Sequence, residues 1–195
     1  MSRASSVLNE AQKIVSNLSV EGGTLHPEVQ AEHDRVVADL AKEFPQVAKA
    51  VKWTYERRNY PHFDQYARNE SRGGKITGEI KIPVFGKDQP LARVDREQDM
   101  ANKKGVMVPG GLRSILAHEF GHAVNHHIIR HGDDALKDEW FDKKREIADD
   151  FAVSEYGKSA INEGVAERFA AEFMGQAPRK LIPIMHSYLE RATEK

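Results

Sequence analysis

The chain has 195 residues, 39% of them hydrophobic and 30% charged, with a formal net charge of −1 and no cysteine. That length supports one domain with a proper core. Near-neutrality gives no electrostatic ground for a nucleic acid or anionic membrane partner, and without Cys there are neither disulfides nor thiolate ligands, so any transition metal must be held by His and carboxylate.

The first 20 residues carry no apolar run long enough for a signal peptide, and no segment could span a bilayer. The cytoplasm is therefore the default location, with leaderless export or virion association as the alternatives. Val7, Leu8, Ala11, Ile14, Val15 and Leu18 recur at helical spacing, with Ser5 or Ser6 as cap. This predicts an amphipathic helix ending near Glu21-Gly22-Gly23. A membrane-surface role would need a more basic polar face. Pro27 suits the first turn of a second helix, with Val29, His33, Val36, Val37, Leu40 and Phe44 inward. His26 and His33 read as ordinary helix residues rather than ligands. After Pro45, Val47, Val51, Thr54, Tyr55 and Arg58 predict a third helix.

From Tyr60-Pro61 the pattern changes. Lys75–Phe85 alternates Ile76, Gly78, Ile80, Ile82 and Val84 with mostly polar residues, which predicts a strand. Pro83 makes it an edge strand or marks a bulge, and an edge strand at a cleft rim could pair with an extended substrate. Residues 91–94 and 105–108 predict two further short strands. The expected fold is α+β: mostly helical, with a small mixed sheet packed on a central helix. The predicted segments are 1–58 N-terminal helices, 59–108 sheet, 109–131 central helix and 132–195 C-terminal helices, in one domain.

Pro109-Gly110-Gly111 breaks the chain before that central helix, residues 112–129. It carries His118-Glu119-Phe120-Gly121-His122, the HExxH pattern of zinc hydrolases. Residues four apart stand one above the other on a helix, so His118 and His122 can aim two imidazoles at one ion. Glu119 lies about 100° round the helix, within reach of a water there. His126 continues the same face but stands about 6 Å further along the axis, too far for a third ligand. Gly132 stops the helix. Further helices follow over 134–151, with Leu136, Trp140, Ile147 and Phe151 inward, then over 159–174 and 178–192. Pro178 suits the start of the last, packed by Leu181, Ile182, Met185, Tyr188 and Leu189.

Catalytic zinc usually takes three protein ligands and leaves the fourth position to water. The position six residues after His122, where metzincin peptidases place a third His, is Ile128. The third ligand is then expected from a carboxylate on a following element. Residues 156–169, YGKSAINEGVAERF, offer Glu163 and Glu167 one turn apart. Glu163 is expected to bind the metal. Glu167 is expected to accept a hydrogen bond from the far nitrogen of His118 or His122, as carboxylates behind metal-bound histidines do. Ile161, Val165, Ala166, Phe169 and Ala170 mark the helix as buried, and buried carboxylates need partners.

HEFGHAV, then Tyr156-Gly157 some forty residues on, then Glu163, Val165, Ala166, Glu167 and Phe169, resembles the zinc peptidase domain of anthrax lethal factor and its relatives, a branch of the HExxH-plus-Glu gluzincins. The family pattern is HEFGH followed by YGxTNxxExFAExF. Here Ser159-Ala160 replace Thr-Asn, and Val165 replaces the Phe before Ala. The resemblance covers residues 112–174, leaving the N-terminal half and the substrate preference unassigned. Small phage-encoded peptidases of this type are similar in size. The resemblance implies a zincin-like fold and one Zn²⁺ per chain on His118, His122 and Glu163. It further implies Glu119 as general base, a protein or peptide substrate, and Tyr156 as hydrogen-bond donor to the oxyanion formed on the attacked carbonyl. The competing expectation is a catalytically inactive zincin-like binding or structural protein.

Overall fold

The computed structural model describes residues 17–21, 23–58, 68–72, 75–85, 90–102, 108–150 and 160–194. The chain divides into two compact units, Met1–Val94 and Asp95–Lys195. The division falls inside a helix rather than at a linker. The architecture is α+β, mostly helical, with one small mixed sheet.

The first unit contains strand β1 (Leu18–Val20), helices α1 (Pro27–Glu43) and α2 (Pro45–Ala50), and strands β2 (Lys52–Arg58), β3 (Arg68–Arg72) and β4 (Lys75–Phe85). The sheet order is β1-β2-β4-β3, with β1-β2 and β2-β4 parallel and β3-β4 antiparallel. Pro27 opens α1, and Nδ1 of His26 accepts the Glu28 N–H at 3.4 Å, so His26 caps the helix. The inward set of α1 is the expected one: Val29, His33, Val36, Val37 and Leu40 are buried, as is Phe44 just beyond it. Burying these apolar side chains is worth about 1.5–3 kcal/mol each.

Several local expectations fail in this unit. Leu18 belongs to a strand, not to the end of a helix, while the rest of the predicted first helix and its cap lie outside the described residues. The third helix stops at Ala50. The following residues form β2, whose Trp53 and Tyr55 pair with Ile80 and Ile82 of β4. Aromatic and β-branched side chains on a pleated face outweigh the apparent helical spacing of Val47, Val51 and Tyr55. The strand β4 is internal, with neighbours on both sides, not an edge. Pro83 pairs with Glu56 on the β2 side, and β3 reaches only as far as Lys81, so the missing N–H falls beyond the described β3 ladder. The one register irregularity lies in β3, between Asn69 and Ser71. On the polar face, Thr54 Oγ1 donates to Glu79 at 2.6 Å and shares a 2.9 Å hydrogen bond with Ser19, while Lys81 reaches Glu56 at 3.0 Å.

Residues 91–94, expected as a strand, begin helix α3 (Leu91–Asn102). The Pro90 carbonyl accepts the N–H groups of Arg93 and Val94 at 3.0 and 3.3 Å, which starts a helical turn. The strand expected over 105–108 lies outside the described residues except for Val108, which is buried and in no strand.

The second unit holds α4 (Gly111–His131), α5 (Asp134–Asp150), α6 (Ile161–Phe173) and α7 (Leu181–Thr193). The Gly110-Gly111 pair has φ of +139° and +58°, a conformation that favours glycine. A Cβ on Gly111 would stand 2.2 Å from Oδ1 of Asp95. That same oxygen accepts the Leu112 N–H at 3.0 Å, capping α4 from outside. Leu112, Leu116, Phe120, Val124 and Ile128 bury one side of α4, and Val165, Ala166, Phe169 and Ala170 the facing side of α6. Gly132 ends α4, donating to the Ile128 carbonyl, and Asp133 caps α5 through the Leu136 N–H at 2.9 Å. Leu136, Trp140 and Ile147 point inward as expected, while Phe151 lies outside the described residues. All five expected packing residues of α7 are buried, but the helix starts at Leu181, three residues after Pro178.

Candidate metal centre

The geometry of α4 makes the first half of the site. His118 and His122 are one turn apart, with their Nε2 atoms 3.2 Å from each other. Gly121, between them, lets α6 come close: a Cβ there would lie 3.0 Å from Cβ of Phe169 and 3.2 Å from Cα of Ala166. This approach brings the first turn of α6 to the histidines. Oε2 of Glu163 stands 3.2 Å from His122 Nε2 and 3.3 Å from His118 Nε2.

The three donor atoms therefore form a nearly equilateral triangle. Tetrahedral zinc with ligand bonds of about 2.0–2.1 Å sets its donor atoms about 3.3–3.4 Å apart. The His₂Glu donor set and its spacing fit such an ion. Side-chain exposure is 3% for His118, 11% for His122 and 23% for Glu163, so the triangle is sealed behind His118 and open towards Glu163. Among the described residues this is the one group of three side chains that could hold a metal ion.

Glu167 sits behind the triangle. Its Oε1 is 2.8 Å from Nδ1 of His118, and its Oε2 accepts the Val108 N–H at 2.7 Å. Ser114 donates to the Val108 carbonyl at 2.6 Å, so both peptide groups of Val108 are tied to the two site helices. Burial alone would push the His118 imidazole down. The bonds to Glu163 and Glu167 and the charges of Glu119 and Glu167 outweigh it and raise the pKa to about 10. Burial likewise opposes ionisation of Glu163, but the hydrogen bonds and charge of the two histidines hold its carboxyl well below the usual carboxylate range.

Glu119 is 4% exposed and close enough for its charge to act on His118. Tyr156 lies outside the described residues. His126 is stacked on His122, ring centroids 6.2 Å apart, and does not join the triangle. Its Nδ1 is buried with no hydrogen-bond partner among the described residues. Burial, then the neighbouring His122 and Lys144, lower its pKa to about 4.

No family model, curated protein or solved structure matches this chain.

Several contributors to the site gave no sign in the sequence. Asp95 is one residue of a charged stretch, and only the fold brings it to the start of α4. Asn125 reads as a polar interruption of an apolar face, yet it is 1% exposed and accepts the Trp140 indole N–H at 2.8 Å. Lys144 belongs to the run Asp142-Lys143-Lys144-Arg145-Glu146, where nothing separates a buried lysine from its solvated neighbours.

Proposed function

We propose that this chain is a zinc-dependent endopeptidase of the HExxH-plus-Glu type, with a zincin-like catalytic unit. The observation that carries the reading is the donor triangle of His118, His122 and Glu163, with side lengths of 3.2, 3.2 and 3.3 Å, next to the buried Glu119. These residues would hold one Zn²⁺, which when bound supplies a Lewis acid that acidifies water and polarises a carbonyl.

The side chains do the rest. His118 would offer Nε2 to the ion, because the Glu167 carboxylate facing Nδ1 at 2.8 Å favours the tautomer with its proton on that side of the ring. Glu119 removes the proton from the attacking water and later delivers it to the leaving amine. Tyr156, in the role that the family resemblance implies, donates its phenol hydrogen to the carbonyl oxygen as charge builds there. The partial exposure of Glu163 leaves one side of the site open for an extended peptide. No helix among the described residues is long and apolar enough to cross a membrane.

Glu119→Gln is the deciding variant. It should keep one zinc per chain while losing cleavage of a mixed peptide library. Equal cleavage by variant and wild type would sink the peptidase reading. Zinc bound by a wild-type protein that cleaves nothing would favour a non-catalytic binding role.

A further inference from the structure

Two side chains of the lysine and arginine type are buried among the described residues, Arg168 and Lys144. Arg168 pairs with Glu172 at 2.7 Å. Lys144, 1% exposed, pairs with no carboxylate among the described residues. Its Nζ donates to Oδ1 of Asn162 at 3.0 Å and stands 4.1 Å from the centre of the Phe141 ring. A buried ammonium held by one amide oxygen and an aromatic face is expensive to keep, and such groups concentrate at functional sites. Burial lowers its pKa to about 8, so it still carries its charge at neutral pH.

Asn162 immediately precedes Glu163 in the first turn of α6. The residue at the start of that helix, Ala160, makes no side-chain capping bond. Apolar burial on α6 begins only at Val165. The turn that carries the third ligand is therefore held from the side. Oδ1 of Asn162 takes the Lys144 ammonium from α5 and, at 3.5 Å, the Asn125 amide from α4. Asn125 stands three residues beyond His122 and is itself fixed by Trp140 of α5.

We propose that Lys144 is a positioning residue for the metal centre: through Asn162 it fixes the first turn of α6, and with it the carboxylate of Glu163, against the two histidines. The inference rests on the metal-centre reading and adds to it a residue that touches neither the ligand atoms nor a substrate. A lysine suits the task because it only donates, so the amide must present its oxygen.

The test is zinc affinity by competition with a chromogenic chelator, alongside the thermal midpoint of the metal-free protein. Lys144→Met and Asn162→Ala should weaken zinc binding about tenfold or more, as loss of a support behind metal ligands does. Asn162→Asp, which keeps the oxygen and adds a favourable charge at a helix start, should stay within about threefold of wild type. Tyr188→Phe, which breaks a bond between α7 and α5, should lower the thermal midpoint and leave zinc affinity alone. Should Lys144→Met not fold, Asn162→Ala, at an exposed residue, decides the matter. Wild-type affinity in that variant overturns the inference, as does an equal loss in Tyr188→Phe. A wild-type protein that binds no zinc removes the metal centre and this inference together, whereas tight wild-type binding with unchanged variants removes only the inference.

Discussion

Glu167 joins a histidine to the backbone: Oε1 lies 2.8 Å from Nδ1 of His118, and Oε2 takes the N–H of Val108 at 2.7 Å. One carboxylate thus orients an imidazole and anchors the chain entering α4. Glu163, one turn earlier on the same helix, faces the Nε2 atoms instead.

The two glutamates should respond differently to removal. Glu163→Ala should weaken zinc binding more than Glu167→Ala, whose cost is about 10–100-fold. Glu167→Ala should also destabilise the metal-free protein by about 1–3 kcal/mol, because the buried Val108 N–H loses its acceptor. Chelator competition and urea denaturation measure both effects. A larger affinity loss in Glu167→Ala would reverse the roles.

Gly121→Ala should loosen the site. Alanine gains up to about 1 kcal/mol of helix propensity over glycine. Against that, its methyl would meet Phe169 Cβ at 3.0 Å and the Ala166 backbone at 3.2 Å. Overpacking costs about 1–3 kcal/mol, and backbone cannot move aside as a side-chain end can, so the contact wins. Lower stability and weaker zinc binding together are expected, and unchanged zinc affinity would mean that the approach of α6 does not set the ligand spacing.

Glu172 starts α7 from α6. Its oxygens accept the Leu181 and Ile182 N–H groups at 2.9 and 3.0 Å, and Oε1 also pairs with the buried Arg168 at 2.7 Å. Glu172→Ala removes the carboxylate that faces the buried Arg168 and the acceptor of two helix-start N–H groups, which should cost about 3–5 kcal/mol. Glu172→Gln keeps an acceptor oxygen and should lose less. Urea midpoints separate the two, and equal midpoints would contradict the clasp.

Acid should weaken the first unit through His33. Its Nδ1 bonds Tyr55 Oη at 3.0 Å, its ring meets Trp53 and Tyr55 edge-on, and burial lowers its pKa from 6.5 to about 4. The unfolded chain binds this proton more readily. Stability is therefore full above pH 6.5 and declines as pH falls towards 4, by about 3 kcal/mol in total. An NMR titration should find the His33 ring neutral at pH 5.5. A midpoint near 6.5 would refute the assignment.

What proved legible in the sequence was whatever a single helix decides. The spacing of His118 and His122 follows from a rise of about 1.5 Å per residue and needs no other part of the chain. The inward faces of α1, α5 and α7 follow from the same periodicity, and Pro27, Gly111 and Gly132 mark ends that backbone sterics impose. Local pattern failed where partners are distant. Residues 52–58 form a strand because β1 and β4 flank them, and β4 became internal because β2 and β3 flank it in turn. The tertiary structure alone decided how α6 meets α4: which glutamate oxygen faces the two Nε2 atoms, that Asp95 caps the histidine helix, and that Lys144 is buried beside Asn162. Each is a contact between side chains far apart along the chain, set by how closely two helices can pack, and no window of residues encodes that distance.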